Sequence, residues 1–118
     1  MTPFKHDTVD DAAIRRNVER YMQTRLTGLV VLGSNGEVVM LDDSEAERVI
    51  VAARSGMPSS RPLIAGTGAE STKATIAACA RAARAGADAV LVRSAAFFKN
   101  LMTSEVYVRH YVAVAEAS

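Results

Sequence analysis

The sequence predicts an α/β fold in which parallel strands alternate with helices. Three short runs centred on Val, Leu and Ile, at 28–33, 61–68 and 87–92, have the composition of strands that are covered on both faces. Each run is followed by a segment with helical spacing of its apolar residues, so a strand–helix unit recurs roughly every 30 residues. Such units join parallel strands through right-handed crossovers, in either a barrel or an open sheet.

The first helix is predicted over 8–26, "TVDDAAIRRNVERYMQTRL". Thr8 and Asp11 have the spacing of a helix-capping pair. The apolar residues that recur at helical intervals, and are therefore expected to face the core, are Ile14, Val18, Tyr21 and Met22. "GLVVLG" at 28–33 then provides the first complete strand of the pattern.

The second helix is predicted over 42–56, "DDSEAERVIVAARSG". Ser44 and Glu47 have capping-box spacing at its start, and Gly56 is suited to its end. The predicted buried stripe consists of Ala46, Val49, Ile50 and Ala53. "RPLIAGTG" at 61–68 gives the next strand.

Two further helices are predicted, over 71–86 and 103–118, on either side of the strand "ADAVLV" at 87–92. The helix over 71–86 is predicted to end at Gly86. Its predicted inner face consists of Ile76, Cys79, Ala80 and Ala83. The predicted inner face of the last helix consists of Val108, Tyr111, Val112 and Ala115.

Composition excludes several functional classes. The 118 residues suffice for one domain with a core but are fewer than a large barrel needs. The net charge of +1 arises from 14 basic and 13 acidic residues without a run of one sign, so neither nucleic acid nor a membrane is expected as a partner. Cys79 is the single cysteine, which excludes a disulfide framework, and no signal or spanning segment is visible. A cytoplasmic protein without a metal or cofactor is expected.

Three loops follow the predicted strands, and ligands of α/β proteins bind at the carboxyl ends of strands. These loops read "GSNGE" at 33–37, "GTGAES" at 66–71 and "RSAAFFKN" at 93–100. None contains the glycine fingerprint of a dinucleotide site or a phosphate-binding P-loop. A Gly-Ser-Asn-Gly turn can instead direct backbone NH groups and two small polar side chains at one carboxylate, although the same tetrapeptide also occurs as a plain turn.

The segments "TPF", "GLVVLGSNGE", "RPLIAGTGAEST", "AGADAVLV" and "HYVAVA" resemble, in the same order, the amino-terminal part of the dihydrodipicolinate synthase and N-acetylneuraminate lyase superfamily. Ser34 and Asn35 stand where the synthases usually have threonines, which is similar to the 4-hydroxy-2-oxoglutarate aldolase type. The resemblance implies a (β/α)8 barrel, usually tetrameric, that makes or breaks carbon bonds beside a 2-oxo acid such as pyruvate, held as a Schiff base on a lysine.

Placed on that barrel, residues 1–118 resemble a truncated amino-terminal half, with strands 2 to 4, helices 1 to 4 and only the tail of strand 1, at "TPF". In the family the Schiff-base lysine lies on the sixth strand and a proton-shuttling tyrosine on the fifth. Neither has a counterpart in this chain. The chain by itself is therefore expected to be inactive, although its family is one of lyases.

The resemblance also implies roles for the "GSNGE" turn. Gly33, Ser34 and Asn35 would form the substrate-binding turn, in which Asn35 and its backbone NH hold the carboxylate of the 2-oxo acid. Ser34 would pass a proton between the tyrosine and solvent. Glu37 is expected to brace the turn and not to touch substrate.

Two departures from the family pattern lie after the fourth barrel strand. A tyrosine pair is usual there, and its second member completes a neighbouring subunit's proton relay. This chain has Phe97 and Phe98, and a phenyl ring at position 98 cannot carry a proton. Ser94 and Ala95 replace a Thr-Pro pair, which is expected to loosen the loop.

Other reactive or polar residues are expected to be structural. Ser71 is interpreted as a helix N-cap in preference to a ligand contact, which leaves Thr67 as the polar candidate in that loop. His6 and His110 have no partner at ligand or triad spacing. Tyr107 and Tyr111 are four residues apart and are interpreted as packing residues.

Lysines require separate attention, because imine formation needs an amine with a lowered pKa. The sequence has only Lys5, Lys73 and Lys99. Lys99 follows the last strand and is the only geometric candidate for a substitute nucleophile, but its loop position favours an exposed or interface residue.

Three hypotheses therefore remain. The favoured one is a truncated Schiff-base lyase acting on 2-oxo acids. The second is a half-barrel assembly module that pairs with another copy or with a complementary half, because strand edges and an apolar sheet face would be exposed. The third is a flavodoxin-like domain that binds phosphate at its loops. In isolation the chain is expected to be marginally stable and prone to dimerise or aggregate.

Overall fold

Three parallel strands and four helices make up most of the chain, and the computed structural model describes all of residues 1–118. The sheet has the order β3 (Leu29–Val31), β4 (Leu63–Gly66) and β5 (Ala89–Leu91), with Val30 opposite Ile64 and Ile64 opposite Ala89. The helices are α1 (Asp11–Met22), α2 (Asp43–Ser55), α3 (Thr72–Arg84) and α4 (Ser104–Glu116). Short 3-10 turns occupy Ser34–Gly36, Val38–Met40 and Lys99–Leu101. The predicted α/β class is confirmed.

A small hairpin precedes the first helix. Its strands β1 (Phe4–Lys5) and β2 (Thr8–Val9) are antiparallel, and the two residues between them, His6 and Asp7, have φ of 51° and 59°. Two consecutive positive φ angles produce a turn whose twist matches that of a hairpin. "TPF" at 2–4 therefore leads into this hairpin and is not paired with β3.

The helices begin at caps that differ by a few residues from two of the predictions. Asp10, and not Thr8, caps α1 by accepting a hydrogen bond from the Ala13 amide. The capping box of α2 is formed by Asp42 and Glu45, two residues earlier than the predicted Ser44 and Glu47. Both alternatives satisfy the same motif, and the Asp42 carboxylate is favoured because it also accepts a bond from the Ser44 hydroxyl at 2.7 Å. The predicted N-cap at Ser71 and the helix end at Gly56 are confirmed.

The core lies between the sheet and α1, α2 and α3. Leu63 and Ala65 are fully buried on the helix-facing side of β4, where they meet Val49, Ile50 and Ala53 of α2. The opposite side of the sheet is open, since Val30 and Leu91 are 51% and 55% exposed. One face of this sheet is therefore a packed core and the other an uncovered apolar surface.

Three predicted inner faces differ from the structure. In α1, Ile14 and Val18 are buried as predicted, but Tyr21 is 48% exposed. α3 buries Thr75, Cys79 and Ala82, whereas Ala80 and Ala83 are exposed. α4 buries His110 and Val114, and the predicted Val108, Tyr111 and Val112 are exposed. The helices α3 and α4 carry apolar or small residues around most of their circumference, so the spacing alone did not define one face.

Candidate functional site

The turn that follows β3 has the geometry of a backbone cradle. Leu32 is buried with φ of 58°, Gly33 is extended, and Ser34–Gly36 form a 3-10 turn closed by the Gly36 amide on the Gly33 carbonyl at 2.9 Å. The amides of Ser34 and Asn35 donate to no group of the chain. Two free amides and two small polar side chains, both exposed, are thus available at the carboxyl end of a strand.

The turn is braced by Thr2, which the sequence interpretation did not single out. Its hydroxyl donates to the Gly36 carbonyl at 2.6 Å, and Thr2 is 8% exposed. Glu37 contributes through its backbone, because its left-handed conformation (φ 58°) lets its amide donate to the Ser34 carbonyl at 3.1 Å. The Glu37 side chain makes no hydrogen bond, so the contribution of Glu37 to the turn comes from its backbone alone.

A cleft of about 300 Å³ lies beside the turn, between α1 and β3. Its polar walls are formed by Asn17 and Tyr21 of α1 and by Ser34 and Asn35 of the turn. A Cβ built on Gly33 would meet no atom within 4 Å, so the chain leaves open space beside that residue. The turn is therefore accessible to a small ligand.

The position of the turn depends on Gly66 at the end of β4. A Cβ on Gly66 would overlap the carbonyl oxygen of Leu32, the residue just before the turn. Only glycine permits the two strand ends to approach so closely. The "GTG" loop therefore contributes to the site by shape, and its polar side chain does not reach the ligand space: Thr67 is buried, with its hydroxyl 3.3 Å from Cys79 Sγ.

The loop after β5 is held by Glu70, which is also absent from the sequence-based candidates. Its Oε2 accepts from the amides of Ala96 and Phe97 at 3.0 Å each, and its Oε1 accepts from Arg93 Nη1 at 3.1 Å. The segment expected to be loosened by Ser94 and Ala95 is thus anchored. The anchored loop presents Phe97 and Phe98 to solvent as an edge-to-face pair with ring centroids 4.9 Å apart.

The anchor at Glu70 predicts a response of this loop to acid. Hydrogen bonds from the amides of Phe97 and Ala96, and then from Arg93, lower the pKa of Glu70 from its ordinary 4.5. The anchor is therefore complete above pH 4.5 and is lost as the pH falls through the lower pKa of the folded chain. We expect the amide proton shifts of Ala96 and Phe97 to titrate below pH 4.5 in NMR spectra, and Glu70→Gln to abolish this response. An unchanged titration in Glu70→Gln would contradict the assignment.

The three lysines are exposed: Lys5 in the hairpin, Lys73 in the first turn of α3 and Lys99 in a 3-10 turn. None of the three lies in a buried site. His6 lies in the hairpin turn, whereas His110 is buried in α4 and bonded to Thr72.

No group of three or more His, Cys, Asp or Glu side chains is placed to hold a metal ion. No helix is both long and apolar enough to cross a bilayer.

Comparisons with known proteins match the whole chain. The model of the dihydrodipicolinate synthetase family covers residues 1–118. The chain is 40% identical over 118 residues to a probable mitochondrial 4-hydroxy-2-oxoglutarate aldolase of Emericella nidulans, covering 97% of this chain and 38% of that protein. It is 37% identical over 117 residues to 4-hydroxy-tetrahydrodipicolinate synthase of Syntrophus aciditrophicus, covering 99% of this chain and 40% of that protein.

A solved structure is similar as well. The chloride-inhibited dihydrodipicolinate synthase of Acinetobacter baumannii, complexed with pyruvate, superimposes with a TM-score of 0.90 at 32% identity over 99% of this chain and 40% of that one. The chain thus spans about two fifths of the length of these relatives.

Proposed function

The chain belongs to the dihydrodipicolinate synthetase family, and we propose that it supplies the carboxylate-binding part of a Schiff-base lyase that acts on 2-oxo acids. Its parallel strands and helices form part of a (β/α)8 barrel. We propose that residues 1–118 are the amino-terminal half of that catalytic domain. The observation that carries the proposal is the Ser34–Gly36 turn, which offers two unused amides beside an open cleft.

In this proposal the carboxylate of the 2-oxo acid lies against the turn. The amides of Ser34 and Asn35 and the Asn35 side chain donate hydrogen bonds to its oxygens, and the space beside Gly33 admits it. The exposed hydroxyl of Ser34 stands at the same place and passes a proton between solvent and the reacting centre. Both roles concern binding and proton transfer, so they leave the covalent step to another residue.

That covalent step needs an unprotonated amine, which attacks the keto carbon of the 2-oxo acid and releases water as the imine forms. All three lysines of the chain are exposed, so none is poised for this attack. We propose that the amine is supplied by a segment outside residues 1–118. The Phe at position 98, where a relay tyrosine is usual, supports an aldolase-type over a synthase-type reaction, as does the similarity to the Emericella nidulans protein.

Borohydride trapping with pyruvate tests this function by intact mass. We expect no covalent adduct on residues 1–118 alone. We expect an adduct when the chain is joined to the remaining three fifths of the Emericella nidulans relative, and Asn35→Ala in that protein should weaken pyruvate binding about tenfold, as loss of a charge-assisted hydrogen bond does. The matched control is Asn17→Ala, which alters an amide on the far wall of the same cleft.

Two outcomes would contradict the proposal. An adduct on Lys99, or on either other lysine of the isolated chain, would show that the chain has imine chemistry of its own. If Asn35→Ala left the trapping unchanged, the turn would not be the site that binds the carboxylate.

An assembly role is a second candidate, because the chain exposes more surface to solvent than a folded monomer of the same mass does. The chain exposes 7611 Å², whereas a folded monomer of 12.6 kDa exposes about 6200 Å². The excess is larger than the roughly 800 Å² that one partner of a standard interface buries. Much of it is apolar, including Val30 and Leu91 on the open sheet face and Val108 and Val112 on α4. Sedimentation equilibrium should therefore show a homodimer or a higher oligomer. A monomer at all concentrations would contradict this role.

No observation favours the flavodoxin-like alternative. We propose a reducing compartment for the protein, which is supported by its single, buried and unpaired cysteine, Cys79. The cytoplasm is the simplest such compartment, although the name of the Emericella nidulans relative assigns that protein to mitochondria.

A further inference from the structure

The strand β3 lies at an edge of the sheet, and its outer backbone groups have no partner. The Leu29 amide donates to the Pro62 carbonyl at 3.0 Å, and Leu29 lies opposite Leu63 in the parallel register. Successive residues of a strand direct their N–H and C=O groups to opposite edges. Val30, the next residue, therefore directs both its amide and its carbonyl away from β4.

The unpaired edge continues on both sides of Val30. The Gly28 carbonyl accepts no hydrogen bond from the chain, and the Leu32 amide donates none. Gly28, Val30 and Leu32 thus present free groups at the two-residue spacing with which one strand pairs with another. Such an edge is a template for a further strand.

The helix α1 covers a position that has no strand. The cleft between α1 and β3 runs along the free edge, since all three residues of β3 line it. Its facing wall is one stripe of α1, formed by Ile14, Asn17, Val18 and Tyr21. α1 packs on α2, and α2 in turn packs on β3 and β4. The layer of helices therefore extends one position beyond the sheet.

The first residues of the chain do not fill this position. Thr2 is bonded to the Gly36 carbonyl at 2.6 Å, beyond the carboxyl end of β3, and Met1 is 95% exposed. The strand that follows them, β1, pairs only with β2. The chain also exposes more surface than a folded monomer of its mass does. A segment that fits this position must therefore come from another polypeptide.

The lining of the cleft defines the chemistry of that segment. None of the 16 lining side chains is charged. Ile14, Val18 and Val49 form a buried apolar side, and Val30 belongs to the open apolar face of the sheet. Side chains of an added strand would alternate between these two surfaces. Since both surfaces are apolar, the segment that fits is uncharged and rich in β-branched residues.

We propose that the free edge of β3 binds one extended, uncharged and β-branched segment of another polypeptide, which becomes a fourth strand under α1. The free backbone groups of Gly28, Val30 and Leu32 provide its hydrogen bonds, and side chains on one of its faces pack on α1. The added strand lies beside β3, whereas the Ser34–Gly36 turn lies beyond the end of that strand. The proposal therefore does not depend on the lyase function.

A short synthetic peptide tests the edge on the chain as it is. The probe is Lys-Val-Thr-Val-Thr-Val-Lys, blocked at both ends and labelled with a fluorophore, in which the lysines serve only solubility. We expect saturable binding by fluorescence anisotropy. Bound peptide should also slow hydrogen exchange of the Val30 and Leu32 amides in NMR spectra, because both become ladder donors. Two further peptides, N-methylated at the valines or at the threonines, each block one edge of the probe. One of them should lose binding.

Two variants at position 30 separate the edge hydrogen bond from the side chain. Val30→Pro removes only an outward amide, and proline is tolerated on an edge strand whose N–H faces outward. We expect it to preserve the circular dichroism spectrum and to weaken peptide binding about tenfold, through loss of one hydrogen bond. Val30→Thr keeps the amide and a β-branched side chain, so it is the matched control and should bind the peptide unchanged.

Several results would overturn the proposal. They are absence of saturable binding, equal binding by both N-methylated peptides, and equal binding by Val30→Pro and Val30→Thr. A second copy of the chain on this edge would also overturn it. That arrangement would appear in sedimentation as a dimer that the peptide does not dissociate and that Val30→Pro converts to a monomer.

Discussion

Gly66→Ala is expected to destabilise the chain by about 3 kcal/mol, the upper end of what overpacking costs. The new methyl group would overlap the Leu32 carbonyl oxygen, and its next neighbours are also backbone atoms, the Leu32 carbonyl carbon and the Gly33 nitrogen. Side-chain rotation cannot relieve a clash between two strand ends. Either β3 and β4 separate, or the Ser34–Gly36 turn shifts. Urea unfolding followed by circular dichroism measures the change.

Gly33→Ala is the matched control for this prediction. Gly33 has φ of −78°, which any residue adopts, and a Cβ there meets no atom within 4 Å. We expect its stability to remain within about 0.5 kcal/mol of the unchanged chain. In the protein joined to the rest of the barrel, the same methyl group would occupy the proposed carboxylate space and reduce pyruvate trapping. Equal stability losses in Gly33→Ala and Gly66→Ala would show that the close approach of the strand ends is not what requires glycine.

Leu63→Ala is expected to cost about 3 kcal/mol, in the middle of the range for leucines truncated in a core. Leu63 is fully buried between β4 and the helices, so its removal leaves a cavity. For a chain with only 20 buried residues of 118, this loss is expected to abolish cooperative folding. Thermal unfolding by calorimetry would show the transition broadened or absent.

Leu91→Ala makes the same chemical change on the open face of the sheet, where the side chain is 55% exposed. We expect it to cost less than about 1 kcal/mol in the chain alone, because little apolar surface is returned to water. If the rest of a barrel covers this face, the cost should rise toward that of Leu63→Ala in the joined protein. A cost that stays low in the joined protein would contradict the partial-barrel arrangement.

The elements that could be predicted from sequence are those specified by near neighbours. The N-cap at Ser71 and the helix end at Gly56 each depend on contacts within a few residues. The parallel order of β3, β4 and β5 also follows from the repeated strand–helix unit. The candidate turn at Ser34–Gly36 could be located because glycine and small polar residues stop an apolar strand.

The features that could not be predicted depend on residues far apart in the chain. Thr2 braces the turn across 34 positions, and Glu70 anchors Ala96 and Phe97 across 26 and 27. The buried face of α4 includes His110, which is bonded to Thr72, 38 positions away, and it excludes two of the predicted valines, Val108 and Val112. No local pattern marks such partners.

The sequence by itself determined the α/β class, the order of strands and helices, the family resemblance and the place of the Gly-Ser-Asn-Gly turn, because local hydrogen bonding and apolar periodicity specify each of them. Only the tertiary structure decided which helix faces are buried, that Gly66 is required by the Leu32 carbonyl, and that His110 is buried with its Nε2 unpaired. These features depend on which distant segments pack together, because that packing decides which residues are buried and which polar groups are paired.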